Sequence, residues 1–433
     1  MTMTTTHEGL VRAIRRWDLS AVVLNSIIGA GIFGLPATVF ALVGVYSLAA
    51  FLVCGLLVTL IVVCFAEVSS RFTDTGGPYL YAREAFGPLV GFEVGWLIWV
   101  ARLTAFAANC NLLVAYLGFF VPDVATGAPR AAVITAVVGG LTAVNVIGVR
   151  DATRLTNVLT IAKLLPLLLF VAVGLLFVDA GSYVAGAMPT GSDFSIAVLL
   201  LVYAFTGFEM AAIPSGEARD PRRDLPWALL TAVGLVTVFY LLIQAVAIGT
   251  LPGLGGSTRP LADAGAAFLG PWGAAVISAG AVASILGNLN VTLMVTPRLP
   301  FAMAERGELP RAIARVHARR HTPHVAIQLS AVIVLVLTLT GTFVYAATIS
   351  VIARLLAYAA TCAALPVLRR RAQPAAASFV APFGVGVSMV SLGLVAWLLS
   401  NVTVAEARDA VVAAGAGLVI YLAARGRAGR APS

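Results

Sequence analysis

Long apolar runs recur along this chain, and they constrain its fold more than any other feature. The hydrocarbon core of a bilayer is about 30 Å thick, so a helix that rises 1.5 Å per residue crosses it in about 20 residues. The sequence contains twelve apolar segments near that length, at residues 20–40, 45–67, 91–120, 131–149, 155–178, 194–215, 227–250, 272–297, 325–344, 346–368, 381–400 and 409–424. These segments predict an all-α integral membrane protein with twelve transmembrane helices.

The composition excludes a water-soluble fold. Hydrophobic residues make up 60% of the chain and charged residues only 11%, with a mean hydropathy of +0.98, whereas soluble domains carry about 25% charged residues. The four cysteines lie in apolar runs at irregular spacing, which is typical neither of a disulfide framework nor of a zinc site. A membrane-embedded enzyme is an alternative that would need a metal or nucleophile cluster, but the four histidines lie in polar segments, at His7, His317, His321 and His324. We therefore predict no enzyme, no catalytic group, no metal site and no cofactor.

The arginines predict the orientation in the membrane. When the polar ends are numbered alternately from the inside, 22 of the 28 basic residues lie on one side, three on the other and three within the spans. Such an excess is typical of cytoplasmic loops, so the net charge of +9 reports topology rather than binding to nucleic acid. We expect a multi-pass protein of the inner or plasma membrane with both termini in the cytoplasm.

Two segments contain glycine and proline where an uninterrupted helix is expected. Segment one reads NSIIGAGIFGLPATVF and segment six reads YAFTGFEMAAIPSGEA. Glycine costs a helix about 1 kcal/mol and proline about 3 kcal/mol relative to alanine. We therefore expect helix one to unwind near Gly29–Gly31 and helix six between Gly207 and Pro214. Two packing faces rich in small residues are the alternative interpretation.

Interrupted helices inside a membrane predict a polar cavity, because freed backbone groups in hydrocarbon need partners. Half-helix N-termini attract a carboxylate, and exposed carbonyls accept hydrogen bonds from an ammonium. An amino acid carries both groups. Paired interruptions are also the expected trace of an inverted repeat, although no repeat is visible at the level of single residues.

Seven motifs, in this order, resemble the amino acid–polyamine–organocation (APC) family of transporters over nearly the whole chain. They are IIGAGIFGLPA (27–37), AEVSSRFTDTGGPYLYAREAFG (66–87), NVLTIAKLLPL (157–167), FTGFE (205–209), GEARDPRRDLPWA (216–228), MAERGELP (303–310) and TPHVAI (322–327). The resemblance implies a leucine-transporter-type fold, a 5+5 inverted repeat with broken helices 1 and 6 and two extra C-terminal helices. The implied divisions are a cytoplasmic N-terminus (1–19), a first repeat (20–180), a second repeat (190–370), helices 11 and 12 (381–424) and a cytoplasmic tail (425–433).

The resemblance also implies a substrate site. The amides of Gly29, Ala30 and Gly31 would bind a carboxylate, the carbonyls of Ile27 and Thr206 would bind an ammonium, and aromatic side chains would wall or gate the pocket. The predicted substrate-binding residues are Ile27, Gly29, Ala30, Gly31, Tyr203, Phe205, Thr206, Gly207, Phe208 and Arg102.

Lys163, deep in segment five, is the single lysine of a chain with 27 arginines. An ammonium is compact and has three donors, whereas a guanidinium is planar, larger and effectively never deprotonated. In sodium-coupled members of this fold a cation lies between helices 1, 5 and 8, and the resemblance implies that Lys163 takes its place. Ser284 and Asn288, on one face of segment eight, are the expected partners. A lysine that snorkels to the membrane edge is the alternative.

Several further charges lie within apolar segments, among them Glu209, Arg102 and Arg354. Glu209 is a candidate for gating or proton coupling, with a structural hydrogen-bonding role as the alternative. Arg102 is expected either to pair with a protein acid such as Glu93 or Glu209, or to meet a substrate carboxylate. Arg354 is interpreted as a structural or inner-surface charge.

The predicted function is secondary active transport of L-amino acids, with neutral ones favoured, by alternating access. We expect it to be independent of sodium and coupled to protons or to exchange. An acidic amino acid or polyamine exchanger is the alternative, and an ion channel is a weaker one. The expected partners are a small-molecule amino acid, membrane lipid and protons. The oligomeric state is not predicted.

Overall fold

Helices account for the regular secondary structure in the part of the chain that the structure describes. A computed structural model describes residues 16–72, 76–147, 163–184, 186–209, 221–317, 320, 322–371 and 377–428. Its helices are α1 Arg16–Ile27, α2 Gly31–Val43, α3 Ser47–Ser69, α4 Gly77–Phe86, α5 Pro88–Leu117, α6 Gly127–Ile147, α7 Lys163–Phe177, α8 Gly191–Phe205, α9 Pro221–Thr250, α10 Pro260–Val295, α11 Arg298–Glu305, α12 His324–Thr340, α13 Phe343–Arg369, α14 Gly384–Leu399 and α15 Val404–Ala428.

The helices confirm the prediction of an all-helical membrane protein. Among the described residues, seven helical stretches are long and apolar enough to cross a bilayer, and α7, α8, α12 and α14 are shorter apolar helices. Large apolar side chains remain exposed on outward faces, such as Leu165 and Leu176 on α7 and Val411 and Val419 on α15. Such faces need an apolar environment, which lipid provides.

Helix α5 lies at the centre of the bundle. It packs against α4, α10, α12, α13 and α15, and most of its side chains are buried. Few residues of α6 and α15, by contrast, are buried. The central position of α5 brings Arg102, Ala105 and Asn109 into the interior, where the interrupted helices lie.

Segment one is interrupted where its glycines predict. Helix α1 ends at Ile27, residues 28–30 are not helical, and α2 begins at Gly31. A Cβ on Gly31 would lie 2.7 Å from the Cα of Ala204 in α8, and a Cβ on Gly29 would lie 3.0 Å from Nδ2 of Asn288. The absence of side chains therefore lets α2 approach α8 and α10 closely at the interruption.

Segment six also loses its helix where the sequence predicts. Helix α8 ends at Phe205, and Gly207 follows with a φ of +112°, a conformation that glycine adopts far more readily than other residues. A Cβ on Gly207 would lie 2.3 Å from the carbonyl oxygen of Ser26, so the two interruptions touch each other. The predicted break toward Pro214 lies outside the described residues, as do residues 155–162 of segment five.

Segment eight is preceded by a helical stretch that the apolar pattern did not predict. Helix α10 is bent at Gly270, which has a φ of +64° and is followed by Pro271. The part after the bend corresponds to the predicted span 272–297. This later part carries Ser284 and Asn288 to the interruption in segment one.

Candidate functional site

A cavity of about 80 Å³ lies where the two interruptions meet. A buried water needs about 10–15 Å³ of such space, so the cavity has room for several waters or a small polar ligand. Eleven of the 14 predicted site residues line it, and these are Ile27, Gly29, Ala30, Gly31, Arg102, Lys163, Tyr203, Thr206, Gly207, Ser284 and Asn288. The structure therefore brings most of the predicted site together.

The remaining three predicted residues, Phe205, Phe208 and Glu209, do not line this cavity. Phe205 packs edge-on against Tyr240 with 5.3 Å between ring centroids, and Phe208 packs edge-on against Phe65 at the same distance. Both phenylalanines are fully buried. They pack the protein interior around the end of α8 rather than wall the cavity.

Lys163 reaches from α7 to the C-terminal end of α1. Its Nζ donates hydrogen bonds to the carbonyl oxygens of Asn25 (2.7 Å) and Ile28 (2.6 Å), and the residue is only 5% exposed. The last carbonyls of a helix lack intrahelical partners, and the helix end carries partial negative charge. The ammonium therefore satisfies two carbonyls at the interruption. The snorkelling alternative is wrong, because the amine points into the protein.

Ser284 and Asn288 line the same cavity, but the hydrogen bonds given for Lys163 go to backbone carbonyls. Asn288 Oδ1 instead accepts from Nδ2 of Asn109 (2.7 Å). The Ser284 hydroxyl is buried without a hydrogen-bond partner among the described residues. At the interruption, the ammonium therefore binds main-chain oxygens rather than the side chains of Ser284 and Asn288. Residue types alone do not reveal this.

A chain of side-chain hydrogen bonds joins three helices around the cavity. The Tyr203 hydroxyl in α8 donates to Oδ1 of Asn109 in α5 (2.5 Å), and the amide of Asn109 donates to Asn288 in α10. The ring of Tyr203 packs edge-on against Phe343. Sequence reasoning missed Asn109, although a polar residue within the apolar run FAANCN is the signal that could have found it.

Tyr240 connects the two interruptions from α9. Its hydroxyl lies 3.2 Å from the carbonyl oxygens of both Ile27 and Ala204, and it can donate to either. A carbonyl oxygen has two lone pairs, so the Ile27 carbonyl keeps capacity for a second donor. No sequence signal pointed to Tyr240, which lies in an otherwise ordinary apolar segment.

Comparison with known sequences identifies the family to which this architecture belongs. The amino acid permease family matches residues 14–422. The chain belongs to the amino acid permease family. This confirms the resemblance to APC transporters, whose members are transporters rather than enzymes.

Several curated relatives resemble the permease over most of their length. It is 28% identical to the methylthioribose transporter of Bacillus subtilis (strain 168), covering 96% of this chain and 93% of the relative. Identity is 29% with the serine/threonine exchanger SteT of the same organism, over 86% of each chain. The chain is 27% identical to the branched-chain amino acid permease BcaP of Bacillus subtilis, over 75% of this chain and 73% of the relative.

In the permease, Glu209 holds the unwound end of α8. Its carboxylate accepts hydrogen bonds from Nη1 of Arg354, from the hydroxyl of Tyr358 (2.9 Å) and from the amide of Gly207 (2.9 Å). The Glu209–Arg354 ion pair is buried. Arg354 therefore has the structural role that the sequence allowed, and it is not an inner-surface charge.

Arg102 of the permease lines the cavity but has no protein partner in the described part of the chain. It is 6% exposed, it forms no ion pair or hydrogen bond there, and its Nε is buried without a partner. Glu209 is occupied by Arg354, and Oε1 of Glu93 is itself without a partner among these residues. Among the described residues, Arg102 forms no direct ion pair with Glu93 or Glu209, although Glu209 lies close enough to attract it electrostatically.

Proposed function

We propose that this permease is a secondary active transporter of L-amino acids that works by alternating access and without sodium. The observation that carries the proposal is the Lys163 ammonium, bound to the carbonyls of Asn25 and Ile28 at the end of α1. Carbonyls at such half-helix ends coordinate the coupling cation in transporters with broken helices. A tethered ammonium already occupies that position, so the interrupted helix needs no dissolved cation.

The cavity walls support recognition of the backbone groups of an amino acid. The amides around Gly29–Gly31 precede and begin α2, and a helix N-terminus favours an anion such as the carboxylate. The carbonyls of Ile27 and Thr206 would accept from the ammonium. Tyr203 would close one side of the site. The same cavity therefore offers complementary groups to both ends of a zwitterion.

The relatives do not agree on which side chain the substrate carries. Their names refer to methylthioribose, to serine and threonine, and to branched-chain amino acids. The sequence favours neutral substrates. The unpaired guanidinium of Arg102 favours the acidic alternative. A polyamine is disfavoured, because Arg102, Lys163 and Arg354 all line the cavity with positive charge.

We also propose the finer topology that the sequence predicts. Twelve spans would comprise a first repeat (20–180), an inverted second repeat (190–370) and two further helices (381–424). Both termini would lie in the cytoplasm and the protein in the plasma membrane. The arginine distribution and the contact between the two interruptions support this arrangement. Protons or exchange would supply the energy, with Lys163 and Glu209 as the candidate coupling groups.

Uptake by purified protein in proteoliposomes tests this function. Initial rates for a panel of radiolabelled L-amino acids are measured with external sodium replaced by choline, with protein-free liposomes as the control. We expect saturable uptake of at least one amino acid, with rates that agree within about twofold, or about 0.4 kcal/mol, in the two media. Preloading with unlabelled amino acid separates exchange from proton symport. Uptake that requires sodium, or no saturable uptake of any amino acid, contradicts the proposal.

A further inference from the structure

Arg102 is a buried cation that the protein leaves without a partner in the part of the chain the structure describes. The residue is 6% exposed, lies in the central helix α5 and lines the cavity. Burying an unpaired charge is costly. Ionisable residues inside a membrane protein usually line substrate pathways or pair with one another. Because Arg102 does not pair, its position beside the cavity points to a ligand.

The charges around the cavity do not balance. Arg102, Lys163 and Arg354 line it, and no acidic side chain of the described residues does. The nearby Glu209 carboxylate attracts Arg102 electrostatically but forms its ion pair with Arg354, and the Lys163 ammonium is bound to main-chain carbonyls. Arg102 is therefore the cation left available to a bound molecule.

The surroundings of Arg102 contain a second unsatisfied polar group. A narrow, mostly apolar crevice beside the cavity touches Arg102 and Thr296 and is too tight to hold a water. The Thr296 hydroxyl is buried there without a hydrogen-bond partner among the described residues. Thr292 also lines the cavity itself. The Thr292 hydroxyl donates to Oδ1 of Asn288, so the guanidinium is the donor left for a ligand. Arginine can donate two parallel hydrogen bonds to a carboxylate.

We propose that Arg102 makes the permease selective for amino acids with an acidic side chain, such as glutamate and aspartate. This inference rests on the proposed transport function, in which the amides of Gly29–Gly31 bind the main-chain carboxylate. Arg102 then binds the second carboxylate, which neutral amino acids lack. A neutral substrate would leave the guanidinium buried and unpaired, and sites built around a buried polar group reject analogues that cannot pair with it.

The wild-type protein provides the first test, and this test does not depend on the folding of any variant. In sodium-free proteoliposomes, uptake of labelled glutamate is competed with unlabelled glutamate or glutamine, and uptake of aspartate with aspartate or asparagine. Each pair differs in charge while keeping nearly the same shape. We expect the acids to compete at concentrations about tenfold lower or less. Equal or better competition by the amides overturns the proposal.

Variants then assign the preference to Arg102. Arg102→Gln removes the charge, Arg102→Lys keeps the charge without the planar fork, and Arg408→Gln is the control at an exposed arginine of α15. We expect the glutamate-to-glutamine uptake ratio to fall about tenfold or more in Arg102→Gln, less in Arg102→Lys and not at all in the control. If Arg102→Gln lowers both uptakes by the same factor, Arg102 is structural and the proposal is wrong.

The outcomes also separate this inference from the proposed function. Saturable, sodium-independent uptake of neutral amino acids alone would overturn acidic selectivity and leave the transport function intact. Absence of uptake of every amino acid in the panel would overturn both.

Discussion

Lys163 and Arg102 are two buried cations that line the same cavity, and they differ in their hydrogen-bond partners. Lys163 donates to two main-chain carbonyls, whereas Arg102 has no hydrogen bond or ion pair in the described part of the chain. Protein partners offset the cost of burying a cation, whereas a buried cation without them costs free energy until a ligand binds. The difference separates a group that holds the site together from one that is available to the substrate.

Arg354 provides a reference for this comparison, because it is a buried guanidinium that does have a carboxylate. Removing that carboxylate in Glu209→Gln should give Arg354 the unpaired state of Arg102. We expect the free energy of unfolding to fall by about 3–5 kcal/mol, the cost of breaking a buried ion pair. Denaturant unfolding of the detergent-solubilised protein measures it, with Glu305→Gln at an exposed carboxylate as the control. Equal stability of the two variants would mean that the ion pair contributes nothing.

Lys163→Met tests the other side of the comparison. The substitution keeps an unbranched side chain that is one atom shorter, but it leaves the carbonyls of Asn25 and Ile28 without their donor, at about 1–3 kcal/mol for each buried group. We expect a loss of about 2 kcal/mol or more in the same unfolding assay. Leu165→Met, at an exposed position of the same helix, should change little. A variant as stable as the wild type would show that the tether is not needed for the fold.

The contact between the two interruptions can be tested with a pair of glycines. Alanine at Gly207 would need an unfavourable positive φ and would press against the carbonyl of Ser26, so Gly207→Ala should cost about 1–3 kcal/mol. Gly234 in α9 has open space around it, and Gly234→Ala should gain up to about 1 kcal/mol from helix propensity. Unfolding midpoints that shift in the same direction would contradict the close approach.

The smallest expected effect is at Arg102. Replacing the buried charge of Arg102 by the shorter, apolar side chain of methionine removes a desolvation cost, so Arg102→Met should raise the free energy of unfolding of the ligand-free protein by about 1 kcal/mol. The expected change in the free energy of unfolding is therefore opposite in sign to that expected for Lys163→Met. A loss as large as that at Lys163 would mean that the protein itself binds the guanidinium.

The sequence was sufficient for features that depend on local chemistry. Glycine and proline in an apolar run predict an interrupted helix wherever it packs, so the end of α1 at Ile27 and the end of α8 at Phe205 were predictable. Lys163 was predictable for a similar reason, because it is a single lysine among 27 arginines and lies within an apolar run. In these cases the residue type and its immediate neighbours in the sequence are enough to explain the structure.

Contacts between distant segments were not predictable in the same way. Glu209 and Arg354 are 145 residues apart, and no periodicity shows which helix faces meet. The same limit explains why Tyr240 was missed and why Phe208 was placed in the cavity wall. Both depend on how α3, α8 and α9 pack together, which the alternation of apolar residues along one segment does not determine.

The central claim is that the Lys163 ammonium replaces a sodium ion at the interrupted helix, and sodium-free uptake by wild type, Lys163→Ala and Lys163→Arg tests it most directly. With membrane insertion verified for each, we predict that wild type works equally with and without sodium. Lys163→Ala should lose about a hundredfold in rate, or about 2.7 kcal/mol. Lys163→Arg should not restore it, because a guanidinium is larger and planar. Wild-type uptake that requires sodium, or full activity of Lys163→Ala, would contradict the account.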